Sequence, residues 1–226
     1  MSQLALPLTL ADHAVFASFW PAGNTAAVRF LEQLVERRED PGCFLFGPPA
    51  SGKSHLLQAA CARVGDGAAY LPLGLLDDAG PGVLEGLASR PLTCLDDVDR
   101  VAGRPDWEQA LFALLNEVAD ARHLLVASAS ASVRESGFAL ADLESRLAQL
   151  PAFRLRALAD ADCIDALKLR ARHRGLDLPS ETARYLLARS RRDMASLYRL
   201  LDRLDDEALR AQRRLTVPFV KGVLEA

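Results

Sequence analysis

The chain has few of the residues that build disulfide frameworks or metal centres. Its four cysteines, Cys43, Cys61, Cys94 and Cys163, are widely spaced, and no pair has C-x-x-C spacing. The four histidines are equally scattered. Because each cysteine lies in an apolar segment, we expect buried, reduced thiols in a cytoplasmic protein, and neither disulfide bonds nor a zinc site.

Long apolar runs and a large excess of one charge are also missing. No apolar run approaches the length of a membrane span, and Asp12 and His13 interrupt the N-terminus before the core of a signal peptide could form. We therefore expect no membrane contact. The net charge is −3, and the residues from 160 onward carry 14 basic and 11 acidic side chains. So modest an excess does not by itself predict nucleic-acid binding, which requires a strong basic patch.

A complete phosphate-binding pattern, G-x-x-x-x-G-K-[ST], occupies residues 47–54 of the 226. It follows an apolar strand candidate at 43–46 and leads into a helix candidate that begins near Lys53, and phosphate binding needs this order of strand, loop and helix. Glycines permit the turns that direct backbone N–H groups at an anion, and the helix N-terminus adds unpaired donors. The pattern predicts a site for a nucleoside di- or triphosphate. The alternative is a Gly/Pro-rich surface turn that matches by chance.

The residues of this loop, and the one after it, are the candidate nucleotide contacts. Lys53 is expected to contact the β- and γ-phosphates, and the Ser54 hydroxyl to bind Mg²⁺. The full candidate set is Gly47, Pro48, Pro49, Ala50, Ser51, Gly52, Lys53, Ser54 and His55.

Short apolar runs alternate with helical periodicities up to about residue 155. Continuous apolar strands separated by helices predict an α/β fold with a parallel five-stranded sheet covered by helices on both faces. The strand candidates are 43–46, 68–72, 92–95, 123–127 and 152–155. The helix candidates are 25–38, 53–64, 81–89, 107–121 and 141–149.

No strand pattern follows Leu158, and the remaining segments have the periodicity of helices. These helix candidates are 160–174, 180–189, 193–211 and 216–224. We therefore predict three regions: a flexible N-terminal peptide at 1–12, a nucleotide-binding α/β domain at 13–157, and a small all-helical lid domain at 158–226.

Two acids follow the strand candidate at 92–95, at the position where a nucleotide-binding protein holds its magnesium ion. Asp96 is the candidate for that role, through a water molecule, and Asp97 is the candidate general base that polarises the attacking water. Acids at strand ends also serve as helix caps, so both assignments depend on the phosphate loop that precedes them.

Together these motifs resemble the AAA+ ATPases, in the branch that contains the bacterial replication initiator DnaA. The resemblance covers almost the whole chain and rests on residues 47–59 (GPPASGKSHLLQA), 95–98 (LDDV), 143–147 (LESRL) and 192–194 (RDM). It implies an AAA+ P-loop NTPase fold with a C-terminal helical lid, and ADP or ATP with Mg²⁺ as cofactors.

The same resemblance implies roles for two arginines. Arg146 is the implied arginine finger, which completes the nucleotide site of a neighbouring subunit. Arg192 is the implied sensor, which contacts nucleotide bound to its own subunit. Both guanidinium groups would stabilise charge on the transferring phosphoryl oxygens, and such a finger changes turnover by about 10³–10⁵-fold.

One stretch departs from the family. AAA+ proteins carry a polar residue just past the fourth strand that helps to place the attacking water, and the DnaA branch has Asp there. This chain has Val126-Ala127-Ser128-Ala129-Ser130, in which only Ser128 or Ser130 can substitute. We therefore expect nucleotide binding with weak hydrolysis by the chain itself.

The N-terminal hexapeptide QLALPL, at residues 3–8, resembles the motif with which bacterial proteins dock on the DNA sliding clamp, the polymerase β subunit. Its leucines suit an apolar groove, at about 1.5–3 kcal/mol for each buried side chain, and the glutamine amide can both donate and accept. A chance match is the alternative, because short leucine-rich termini are common. The candidate clamp contacts are Gln3, Leu4, Leu6, Pro7 and Leu8.

We expect neither the DNA-binding helix-turn-helix domain nor the separate N-terminal domain of DnaA, and in this the chain resembles the DnaA-related regulators of replication. The implied function is regulatory inactivation: the regulator binds the clamp, holds nucleotide, and offers Arg146 to ATP bound on DnaA, which prevents reinitiation. The implied partners are the clamp and DnaA, with self-association left open and DNA contacted only through the clamp.

Two other functions stay open. An autonomous ATPase, such as a helicase loader or motor, is favoured by Asp97 and the full phosphate loop. A non-specific DNA-binding module would use the arginines of the lid, such as Arg184, Arg189 and Arg191.

Overall fold

The computed structural model describes residues 14–189 and 194–225. The described residues divide into two compact units: the first takes residues 14–16 and 23–156, and the second takes residues 17–22, 157–189 and 194–225. Within the described ranges, no helix is both long and apolar enough to cross a bilayer.

The first unit is built on a five-stranded sheet in the order β2-β3-β4-β1-β5, in which every neighbouring pair is parallel. This confirms the predicted sheet. Its three central strands are buried along almost their whole length, as their continuous apolar sequences require. The strands are β1 Gly42–Phe46, β2 Ala68–Pro72, β3 Leu92–Asp96, β4 Leu124–Ala129 and β5 Ala152–Arg154.

Among the residues that the structure describes, five α-helices accompany the sheet. Trp107 and Phe44 are the largest fully buried side chains of the core that joins the sheet to these helices. All four cysteines are buried and unpaired, as expected. The helices are α1 Thr25–Arg37, α2 Lys53–Val64, α3 Leu73–Leu76, α4 Pro105–Asp120 and α5 Ala141–Ala148.

The helix predicted at 81–89 is wrong. That segment forms two short 3₁₀ turns, Pro81–Leu84 and Leu87–Ser89. Gly86 lies between them with φ of 77°, a left-handed conformation that no α-helix contains and that glycine adopts without strain. The short helix α3, which directly follows β2, was not predicted.

In the described part of the second unit, four helices surround their own apolar core. An ion network joins α6 to α8: Arg174 pairs with Asp202 at 2.9 Å and with Asp205 at 3.2 Å, and the buried Arg170 guanidinium lies 4.3 Å from the centre of the Tyr198 ring. The helices are α6 Asp160–His173, α7 Ser180–Arg189, α8 Met194–Ala211 and α9 Val217–Glu225.

Candidate nucleotide-binding site

The candidate phosphate loop connects β1 to α2 with a backbone that depends on glycine. Gly47 has φ of 155°, and a Cβ atom there would lie 2.4 Å from the carbonyl oxygen of Leu155. No larger residue fits without moving the backbone at Leu155, directly after β5. Gly52 has φ of 95° and immediately precedes the first residue of α2. Ala50 also lies in the left-handed region, at φ of 60°, so the loop holds a non-glycine residue in a conformation that side chains disfavour.

Lys53 is folded back into this loop. Its side chain is buried, and its ammonium group donates to the carbonyl oxygens of Gly47, at 2.8 Å, and Pro48, at 3.2 Å. The hydroxyl of Ser51 is also buried and has no hydrogen-bond partner among the described residues. A buried cation held by carbonyl oxygens, an orphaned hydroxyl and the free amides of a helix N-terminus together fit an anionic phosphate group.

At the neighbouring strand end, the Asp96 carboxylate has a hydrogen bond to each oxygen. The Tyr70 hydroxyl donates to Oδ2 at 2.7 Å, and the Ser128 hydroxyl donates to Oδ1. The same Ser128 oxygen accepts a hydrogen bond from the Asp97 N–H at 3.1 Å. Ser128 therefore fixes the end of β3 to β4 by contacting both acids.

Asp97 is half-buried, in a left-handed conformation with φ of 57°. Burial raises the pKa of its carboxyl group, the charge of Asp96 raises it further, and Lys53 opposes both effects. A carboxylate with a raised pKa beside a lysine suits a base that polarises water.

Ser130, the second candidate substitute for the missing aspartate, is hydrogen-bonded to another acid, Asp99. The N–H of Ser130, at 3.1 Å, and its hydroxyl both donate to Oδ2 of Asp99. Ser128 thus donates to the acid that ends β3, and Ser130 donates to an acid of the segment that follows it.

Magnesium would need phosphate oxygens to complete its shell here. Among the described residues, no group of three His, Cys, Asp or Glu side chains is placed to hold a metal ion. Mg²⁺ keeps several waters and commonly binds one or two protein ligands together with substrate phosphates. The exposed hydroxyl of Ser54 and the Asp96 carboxylate fit such a partial shell.

The remaining predicted residues lie apart from this group. His55 directs Nε2 to the carbonyl oxygen of Val15 at 3.0 Å. Arg146 is exposed on α5, and its side chain makes no hydrogen bond or ion pair within residues 14–189 and 194–225. Arg192 and the clamp-peptide residues at 3–8 lie outside the described residues.

Sequence reasoning missed Tyr70. Tyr70 lies in β2, and Pro72 of the same strand is paired with Asp96. The pairing of β2 with β3 therefore places the Tyr70 hydroxyl next to the Asp96 carboxylate. The available signal was a tyrosine in an otherwise apolar strand, because a buried tyrosine hydroxyl usually has a partner.

The Tyr70→Phe substitution is expected to lower the free energy of unfolding by about 1–3 kcal/mol, because it leaves one oxygen of a buried carboxylate without a donor. Urea denaturation measures this. Tyr185→Phe is the matched control: the Tyr185 hydroxyl is buried without a partner among the described residues, so its removal should be neutral or slightly stabilising. Equal effects of the two substitutions would contradict the assignment.

Known proteins resemble the chain in two ways. Residues 160–224 match the family model of the Hda lid domain. Domain III of the Thermotoga maritima replication initiation protein DnaA matches with 17% identity and a TM-score of 0.77, over 96% of this chain and 97% of that one. AMPPCP-bound DnaA from Aquifex aeolicus matches with 19% identity and a TM-score of 0.69, over 86% of this chain and 65% of that one.

A solved structure of a different kind of protein shares the fold. The Thermotoga maritima RuvB Holliday junction branch migration motor matches with 19% identity and a TM-score of 0.63, over 89% of this chain and 67% of that one. These matches confirm the predicted AAA+ fold of the DnaA type. The lid match confirms the predicted resemblance to a DnaA-related protein, in this case Hda.

Proposed function

We propose that this protein, which combines a DnaA-like AAA+ fold with an Hda-type lid, regulates bacterial chromosome replication. It binds ADP or ATP and stimulates hydrolysis of the ATP bound to DnaA, which limits reinitiation. The lid match is the observation that carries this proposal, because the AAA+ fold alone occurs in initiators and motors alike.

Nucleotide binding is assigned to the phosphate loop. The buried Lys53 and the amides at the start of α2 bind the phosphates, while Ser54 and Asp96 hold Mg²⁺, which neutralises phosphate charge when it is bound. Two neighbours of the same fold, both DnaA structures, are bound to AMPPCP, an observation that supports nucleotide binding. Arg192 keeps its proposed contact with the nucleotide.

Hydrolysis by the chain itself is proposed to be weak. Asp97 has the raised pKa of a potential base, but the stretch at 126–130 has alanine where the DnaA branch has aspartate. The neighbouring hydroxyls of Ser128 and Ser130 already donate to Asp96 and Asp99. A serine that holds an acid in place has its proton committed and is a poor substitute for a water-placing carboxylate.

The arginine that acts in trans is Arg146. Its exposed guanidinium has no partner in the described part of the chain, so it can enter the nucleotide site of another subunit without first breaking an ion pair. There it would stabilise charge developing on the γ-phosphoryl oxygens of DnaA-bound ATP.

Residues 3–8 are proposed to dock on the sliding clamp, through which the regulator reaches DNA. The experiment that tests the whole proposal measures hydrolysis of DnaA-bound ATP with and without this protein and DNA-loaded clamp. Stimulation is expected only when both are present. Deletion of residues 1–8 should remove clamp association in a pull-down and stimulation with it, while full clamp binding by the deletion variant would contradict the docking assignment.

An autonomous motor is the second candidate, favoured by Asp97 and by the complete phosphate-binding pattern at 47–54. Steady-state ATPase activity without partners separates the two functions: brisk turnover supports the motor, and slow turnover supports the regulator. Affinity for DNA that falls steeply with salt would instead indicate direct nucleic-acid binding.

A further inference from the structure

Glu108, on α4, is a buried carboxylate outside the site described above. Its side chain is 1% exposed. Oε1 accepts from the N–H groups of Gly103, at 2.6 Å, and Ala139, at 3.0 Å. Oε2 accepts from Ala139, at 3.0 Å, and from Leu140, at 2.6 Å. Charge-assisted hydrogen bonds this short are about twice as strong as those between neutral groups, so the carboxylate holds three backbone positions firmly.

These three positions belong to two separate parts of the first unit. Gly103 follows the 3₁₀ turn Val98–Val101, which continues directly from Asp97. Leu140 is the residue before the first turn of α5, and no side chain of its own caps that helix. The first N–H groups of a helix have no partner within it. Glu108 accepts hydrogen bonds from the backbone N–H groups just before α5. Because it also accepts from Gly103, it links the start of α5 to the segment that follows Asp96 and Asp97.

We infer that Glu108 is the positioning residue for Arg146, an inference that rests on the proposed function. Arg146 lies on α5, six residues beyond Leu140, and the helix is only eight residues long. Leu143 and Leu147 pack its apolar face into the core, and the Glu108 carboxylate sets its N-terminal end. The guanidinium of an arginine finger must have the correct position and orientation relative to the phosphoryl group. A displacement of about 1 Å at a catalytic group can lower the rate by about 10²-fold.

The Glu108→Gln substitution tests this inference. Both carboxylate oxygens accept from N–H groups, so the amide NH₂ must face at least one backbone donor, either Gly103 or Leu140. In the assay with DnaA and DNA-loaded clamp, we expect the maximal stimulated rate to fall at least tenfold. The concentration giving half-maximal stimulation, the affinity for ADP and the binding to clamp should each change less than twofold. Glu117→Gln, an exposed glutamate on the same helix, is the matched control and should change none of them.

A double-mutant cycle separates positioning from general support of the fold. The cycle uses Arg146→Lys, which keeps a positive charge and is expected to leave a residual stimulated rate to measure. If Glu108 acts through Arg146, then Glu108→Gln should cause a smaller further loss in the Arg146→Lys background than in the unmodified protein. The same fold-loss in both backgrounds, or an unchanged maximal rate in Glu108→Gln, would overturn the inference. Survival of stimulation in Arg146→Ala alone would instead overturn the proposed function.

A second variant covers the case in which Glu108→Gln does not fold. Leu140→Pro keeps the carboxylate but removes the N–H that donates to it at 2.6 Å, and the Leu140 φ of −82° is close to that of proline. A stably folded Leu140→Pro protein should show the same selective loss of maximal rate. If it retains the full rate, the link between Glu108 and Arg146 is wrong.

Discussion

Replacing Arg146 with alanine is expected to lower the stimulated hydrolysis of DnaA-bound ATP by about 10³-fold or more, which removes nearly all stimulation. The reason is that the guanidinium supplies positive charge where negative charge develops in the transition state, and no water molecule replaces a fixed charge there. The measurement is single-turnover hydrolysis of ATP bound to DnaA, with saturating regulator and DNA-loaded clamp.

The loss should be confined to the chemical step. Arg146 is exposed and makes no hydrogen bond or ion pair with other described residues, so Arg146→Ala should leave the melting temperature, ADP affinity and clamp binding unchanged. Arg29→Ala, at an exposed arginine on α1, is the control for loss of one positive charge and should stimulate normally. Stimulation that survives Arg146→Ala would show that another group completes the DnaA site.

The Lys53→Ala substitution is expected to weaken the binding of ADP or ATP by about a hundredfold, since hydrogen bonds to charged groups contribute about 1.5–3 kcal/mol and each 1.4 kcal/mol is tenfold in affinity. Its ammonium group is already inside the loop, on the carbonyl oxygens of Gly47 and Pro48. Binding therefore requires little reorganisation of the lysine, and its loss removes charge directly at the phosphates. Calorimetric titration with adenine nucleotides and Mg²⁺ measures the change.

Lys168→Ala is the control for Lys53→Ala. Lys168 donates to Ser180 Oγ within the lid, at 2.9 Å, and has no role in the proposed site. Nucleotide affinity should be unaffected in this variant. Equal affinity in Lys53→Ala and the unmodified protein would mean that the loop is a surface turn that matches the phosphate-binding pattern by chance.

The strands were predictable from sequence because their signal is local. Runs such as 68–72 and 92–95 are short, apolar and bounded by turn residues, and the observed strands begin and end within two residues of the predictions. Segment 81–89 failed for the opposite reason. Its apolar spacing suits a helix, but glycines at 80 and 86 take positive φ values that interrupt one.

The candidate site divides in the same way. The loop at 47–54 and the acids at 96 and 97 can be identified from the sequence, because the chemistry of phosphate and magnesium binding requires fixed residue types at fixed spacing. Tyr70, Ser128 and Glu108 carry no such pattern, and their partners lie 26, 32 and up to 32 positions along the chain.

The sequence by itself determined the class of fold, the order of its elements and the residues that offer charge to a nucleotide. Each of these follows from periodicity or from a contiguous motif, and both can be read from the sequence without knowing which distant residues come into contact. Only the tertiary structure decided which hydroxyls hold Asp96 and which carboxylate sets the start of α5. Those contacts join residues far apart in the chain, and strand register and core packing, rather than local propensity, bring them within hydrogen-bond distance.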